Sequence, residues 1–253
     1  MKPSVESVWW HAPNDYELPA DEVHVWRARL DLPQNCLGGL LQVLSAQERE
    51  RAQRFHFDAD RKRAIIGRGL ARLLIGHCLD RPPDELRIKN NPFGKPALSA
   101  VHHSSLQFNV SHSGDVILVA LARGRELGVD VEQMRTGFAI DAVAARFFSP
   151  NECRALAAIA PESRCEAFYS CWTRKEAYLK ARGEGLSLPL HLFDVAFGAG
   201  EEPRLLETRH DPTEANRWTM HAFDPGYGCK AALAIESSGV RLKCWECHDV
   251  LPG

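Results

Sequence analysis

The chain has 253 residues, 45% of them hydrophobic, which is enough apolar mass for one large domain or two small ones with a buried core. Its 31 Lys and Arg against 33 Asp and Glu leave a formal charge of -2, which argues against a nucleic-acid partner held by bulk charge. No apolar run reaches membrane-spanning length, and the N-terminus lacks the apolar core and cleavage site of an export signal. We therefore expect a cytoplasmic protein with no membrane association, its eight cysteines reduced and mostly buried.

In chain order, VHVWRARL near Val23 alternates as a strand does. LSAQERERAQRF then offers Ser45 as N-cap with Glu48 in a capping box, and a second helix, AIIGRGLARLLIGHCL, opens 19 residues after the cap at Ala64. These helices concentrate Arg49, Arg51, Arg54, Arg61, Lys62, Arg63, Arg68 and Arg72. The set suits phosphate recognition by guanidinium forks, although Glu48, Glu50, Asp58 and Asp60 are interleaved as on a solvated basic face. NNPFGKPAL, residues 90–98, is a turn by composition that exposes Lys95, and it lacks the Walker pattern of a P-loop. In FNVSHSGDVILVALA, Asn109, Ser111 and His112 crowd donors beside Gly114, which suits a bound phosphate and a self-capped turn equally.

GVDVE, residues 128–132, sets Asp130 and Glu132 on one face of a strand and Val129 and Val131 on the other. Neighbouring carboxylates raise each other's pKa unless solvent or a cation relieves them, and all-oxygen ligands select a hard ion such as Mg²⁺. RFFSPNECRALAAI repeats the capping box with Ser149 and Glu152 and adds Pro150 at the first helical position. In FYSCWTRKEAYLK, a helix from Phe168, an apolar stripe through Trp172 runs into Glu176 and Lys180. On a solvated face this pair would contribute only about 0.2–0.5 kcal/mol. Beside Asp130 and Glu132, Glu176 would complete a metal cage. The last strands are GCKAALAI and VRLKCWECH. Cys244, Cys247 and His248 in the latter have the spacing of a c-type haem attachment, a reading we set aside because little chain follows to build a haem pocket and no export signal is present.

The two capping boxes lie 104 residues apart, and each half runs strand, two helices, then paired strands. The pattern implies an α+β fold of two similar lobes, residues 1–125 and 126–253, each a small sheet packed with helices, with ligands favoured at the seam. The lobes have diverged in chemistry. Where the second has Glu176 the first has Arg72.

Taken together, GKPAL, FNVSHSGD, GVDVE, RFFSPNE and FYSCWTRKEAYLKARGEGLSLPL resemble the ordered motifs of the 4'-phosphopantetheinyl transferases, the two-lobed type that activates peptide synthetases and polyketide synthases. The resemblance covers residues 45–190. It implies Mg²⁺-dependent transfer of the phosphopantetheine arm of coenzyme A to a serine of an apo acyl, peptidyl or aryl carrier protein, releasing adenosine 3',5'-bisphosphate. It also implies lobes related by a pseudo-two-fold axis, with coenzyme A in the cleft; one chain with two lobes makes a monomer sufficient. A different Mg²⁺ enzyme acting on a nucleotide diphosphate, or a non-catalytic coenzyme A or carrier-protein binding module, are the alternatives.

Carried over residue by residue, Asp130, Glu132 and Glu176 match the family's Mg²⁺ ligands, and Lys180 matches its lysine at the phosphates. Glu176 and Lys180 are the expected catalytic pair. The expected coenzyme A contacts are Arg51, Arg63, Asn90, Lys95, Asn109, Ser111, His112 and Lys180. Glu48 departs from the pattern, standing where some members carry lysine, with Arg49 or Arg63 as compensation.

Overall fold

Both capping boxes form in the computed structural model, which describes residues 8–13, 15–237 and 239–252. After α1 (Gln34–Gln42), Ser45 opens α2 (Ala46–Gln53), its Oγ accepting from Glu48 N at 3.3 Å while the Glu48 carboxylate accepts from Ser45 N at 2.9 Å. Each capped helix leads into a long one of 22 residues. In the first half this is α3 (Asp58–Leu79). In the second, α4 (Ile140–Phe147) and the capped α5 (Pro150–Ala157) precede α6 (Pro161–Arg182). Both long helices begin earlier than the expected Ala64 and Phe168. Asp58 and Asp60 complement the N-terminal dipole of α3, and Pro161 at the first position presets the backbone of α6.

The strands are β1 (Trp9–His11), β2 (Glu22–Arg29), β3 (Ile88–Asn90), β4 (Pro96–Leu98), β5 (Leu106–Ser113), β6 (Val116–Arg123), β7 (Leu127–Gln133), β8 (Phe193–Val195), β9 (Leu205–Thr208), β10 (Trp218–Phe223), β11 (Cys229–Glu236) and β12 (Arg241–Glu246). The antiparallel run β2-β6-β5 in the first sheet has the same order as β7-β11-β10 in the second, which is the duplication expressed in hydrogen bonds. Two short ribbons, β3-β4 and β8-β9, complete the lobes.

Alternation along the strands decides the layering. Val23, Val25, Leu118 and Ala120 on the inner face of the first sheet meet Leu127, Val129, Val131 and Leu233 of the second. Burying such side chains contributes about 1.5–3 kcal/mol apiece, so this core holds the two lobes together. On the outer faces, Trp26, Leu70 and Leu74 form the core beneath α1 and α3, and Phe168, Tyr178 and Ala232 form the one beneath α4 to α6. Asp130 and Glu132, out of phase with Val129 and Val131, therefore face α6.

The final strand forms, but on the first sheet. β12 pairs parallel with β2, and β1 pairs parallel with β12, so a division at 125/126 cuts across the five-stranded sheet. The reason is the edge of β2, whose backbone groups β12 satisfies. Cys244 and Cys247 are free and buried there, and burial first of all pushes each thiol up to about 12, which makes them inert.

Candidate active site at the seam of the two lobes

The seam is a strand edge closed by side chains. β7 turns the backbone N–H groups of Val129, Val131 and Gln133 away from β11 and toward β5, where Asn109 Oδ1, Ser111 Oγ and Ser113 Oγ accept them at 3.0, 3.3 and 3.1 Å. Residues i, i+2 and i+4 of β5 share one face, so FNVSHS supplies three acceptors in register with the facing edge. The two hydroxyls then donate onward. Ser111 Oγ reaches Asp130 Oδ1 at 3.1 Å and Ser113 Oγ reaches Glu132 Oε2 at 2.7 Å, so the motif that joins the lobes also orients two carboxylates.

Gly128 brings α6 onto β7. A Cβ there would lie 2.2 Å from Ala181 N and 2.3 Å from Ala177 O, both backbone atoms that cannot yield separately. Gly128→Ala should accordingly cost at least about 3 kcal/mol in a denaturant titration, at the upper end of overpacking. Near-native stability would contradict this packing. The close approach sets Lys180 Nζ 2.6 Å from Asp130 Oδ1 and 2.8 Å from Ser111 Oγ.

A second device fixes α6 in rotation. Lys175, beside Glu176, is 0% exposed and donates to both carboxylate oxygens of Glu152 at 2.8 and 2.7 Å and to Phe193 O at 2.5 Å. Glu152 is the capping-box glutamate of α5 and also accepts from Val195 N at 2.9 Å. The first lobe repeats the device. Its capping-box Glu48 holds Arg72 Nε at 2.6 Å and Arg68 Nε at 3.2 Å on α3. Glu48 is therefore engaged in locking its own lobe, which gives its departure from a basic residue a structural role.

The carboxylates make a strained electrostatic centre. Burial, then Asp130 and to a lesser degree Glu132, push Glu176 up to about 7 against the pull of Lys180. Burial also raises Asp130, ahead of the opposing Lys180 and Ser111, and raises Glu132, with the Asp130 charge adding to it. Asp130 Oδ2 is buried without a hydrogen-bond partner. Among the described residues, no three His, Cys, Asp or Glu side chains close around one point tightly enough to enclose a metal as they stand. The three acids influence one another without forming a finished cage. Of the three, Glu176 lines an open cleft of about 270 Å³, together with Phe93, Lys95, Asn109, Lys180 and Gly183 among others, and Asp130 lies behind it in contact with Lys180.

Two family models match the chain, "4'-phosphopantetheinyl transferase superfamily" over residues 126–234 and "4'-phosphopantetheinyl transferase, N-terminal" over residues 33–123. The chain belongs to the 4'-phosphopantetheinyl transferase superfamily. Among its relatives, 4'-phosphopantetheinyl transferase HetI of Nostoc sp. (strain PCC 7120) is 35% identical over 242 residues, covering 95% of this chain and 99% of that protein. A 4'-phosphopantetheinyl transferase of Bacillus subtilis is 31% identical over 82% of this chain and 90% of its own length, and Sfp of Bacillus subtilis (strain 168) is 30% identical over 74% and 80%. The chain is an enzyme of this two-lobed type.

In this transferase the expected binding residues fall into three groups. Lys95, Asn109, Glu176 and Lys180 line the cleft, with Ser111 buried beside them. Lys95 is already engaged, donating to Ala181 O and Glu126 Oε2, each at 2.8 Å, so it caps the C-terminal end of α6. His112 follows Ser111 with its outer edge exposed; desolvation, then the Lys180 and Arg63 charges, lower its pKa. Arg63 donates to Gly114 O at 2.8 Å and Asp60 Oδ1 at 2.7 Å. Arg51 and Asn90 are exposed on α2 and at the end of β3, outside the lining of the cleft.

The transferase also uses residues that pattern reading passed over. Asn91, next to the expected Asn90, accepts from Phe93 N and Lys95 N, each at 2.9 Å, and donates to Gly183 O at 2.7 Å, tying the Gly-Lys-Pro loop to the end of α6. Ser113 was legible as the next residue on the Ser111 face. Lys175 carried no local signal beyond its place beside Glu176.

Proposed function

We propose that this transferase moves the 4'-phosphopantetheine arm of coenzyme A onto a serine hydroxyl of an apo acyl, peptidyl or aryl carrier protein, with Mg²⁺ held by Asp130, Glu132 and Glu176. The observation that carries the metal assignment is the buried, unpartnered Asp130 Oδ2 beside two further carboxylates whose pKa values are raised by burial and by their neighbours. An all-oxygen set with excess negative charge fits a hard divalent cation. When bound, the ion supplies charge neutralisation at the pyrophosphate.

The chain's own groups account for the remaining chemistry. The carrier serine oxygen forms a bond to the β-phosphorus of coenzyme A, and the bond from that phosphorus to the bridging oxygen breaks. Glu176 receives the serine proton, directly or through a water, and Lys180 stabilises charge on the departing adenosine 3',5'-bisphosphate. The surface of residues 137–148, where Phe138 is 43% exposed against Phe168 and Tyr169, meets the carrier. Eight free cysteines support a reducing, cytoplasmic setting, and the enzyme works as a monomer because both lobes that form the cleft belong to one chain. Among the described residues no helix is long and apolar enough to cross a membrane.

The test is mass spectrometry of an apo carrier after incubation with the protein, coenzyme A and Mg²⁺. The carrier should gain one phosphopantetheine, and chelation of the metal should abolish the gain. No gain on fatty-acid, polyketide or peptide carriers would refute the proposal.

A further inference from the structure

We infer that the Lys180 ammonium is the resident counter-ion of Asp130, and that a divalent cation reaches Asp130 only by displacing it, so that metal loading frees Lys180 for the cleft. The inference rests on the metal reading above and concerns how this chain's lysine responds to it.

The geometry is a closed triangle of Lys180 Nζ, Asp130 Oδ1 and Ser111 Oγ with sides of 2.6, 2.8 and 3.1 Å. Asp130 is 5% exposed in its side chain and Lys180 29%, so the ammonium enters a buried carboxylate from the open side. Lys180 also lines the cleft, one helical turn after Glu176. Its flexible four-carbon stem can swing the charge between Asp130 and the cleft without moving α6, and an ammonium accepts any new set of oxygens because its donors are not held in a fixed fork.

Charge makes the two occupants exclusive. With Lys180 on Asp130, the three carboxylates are partly neutralised and the seam is stable without a metal. A dication at Asp130 would face a unit positive charge at contact distance in a partly buried site, where repulsion is steep. The displaced ammonium is best received by an anion in the cleft. Metal and a pyrophosphate-bearing ligand should therefore bind cooperatively, with Lys180 as the shared element.

Mn²⁺ serves as the probe, its free aquo ion counted by electron paramagnetic resonance in the presence of full-length protein without coenzyme A. Lys180→Met should bind Mn²⁺ on the order of tenfold more tightly than the unmodified protein, because the competing charge is gone, whereas Lys180→Arg should stay within about threefold of it. Adding coenzyme A should tighten Mn²⁺ binding to the unmodified protein by a larger factor than to Lys180→Met. Circular dichroism melts verify folding, and Lys180→Gln replaces the Met variant if that one does not fold. Equal or weaker Mn²⁺ binding by the uncharged variant would overturn the inference while leaving the metal site standing. Absence of Mn²⁺ binding to every protein, with coenzyme A present as well, would overturn the metal reading and this inference together.

Discussion

Glu176→Gln should reduce transfer by about 10²–10⁴-fold, the range associated with a positioned acid–base group, while making the metal-free protein more stable at pH 7.5. The two effects have one cause. Burial and the Asp130 and Glu132 charges hold the Glu176 pKa at about 7, against an ordinary 4.5. Between those values the folded protein keeps a proton that the unfolded chain has released, so stability falls as pH rises through the window. At pH 7.5 the ionised, half-buried carboxylate costs up to about 3 kcal/mol, and glutamine removes that cost with little change of shape. Thermal melts in chelator should show the variant's advantage at pH 7.5 and its disappearance near pH 4.5. A lower melting temperature at pH 7.5, or undiminished turnover, would remove Glu176 from the role given to it. The result would be an acid that weakens the fold in order to hold a cation and accept a proton.

Lys175→Met should cost about 3–5 kcal/mol, because it leaves the Glu152 carboxylate buried without its cation. Glu152 also closes the α5 capping box and accepts from Val195 N, so its charge cannot turn toward solvent without breaking both. Adding Glu152→Gln to Lys175→Met should restore part of the loss, since the amide oxygen can keep a backbone donor while the unpaired charge is gone. Turnover should fall along with stability even though Lys175 lies outside the cleft lining, because the same anchor sets the direction in which Glu176 leaves α6. Urea titrations of the single and double variants provide the check. A cost under about 1 kcal/mol for Lys175→Met would show that the pair does not bear on the fold.

Much of the molecule is legible in the sequence because its signals are local. Ser45 with Glu48 and Ser149 with Glu152 are near-neighbour hydrogen-bond patterns, and they form. The alternation of Val129 and Val131 with Asp130 and Glu132 depends only on the two-residue period of a strand, and the valines lie in the inter-sheet core as that period requires. The ordered motifs likewise led to the family.

Pairing between distant segments required the tertiary structure. Lys175 sits in a polar run, TRKE, that reads as solvated helix surface, yet it is sealed against a carboxylate 23 residues away. Lys95 looked like an exposed loop cation and instead donates to Ala181 O, 86 residues later in the chain, in the last turn of α6. β12 alternates as a strand in either lobe, and only the unsatisfied edge of β2 assigned it to the first. Periodicity and capping are written within a few residues, where backbone geometry alone determines the outcome. The partner of a buried charge or a strand edge depends on which surfaces meet once the sheets have packed, and no local pattern carries that information.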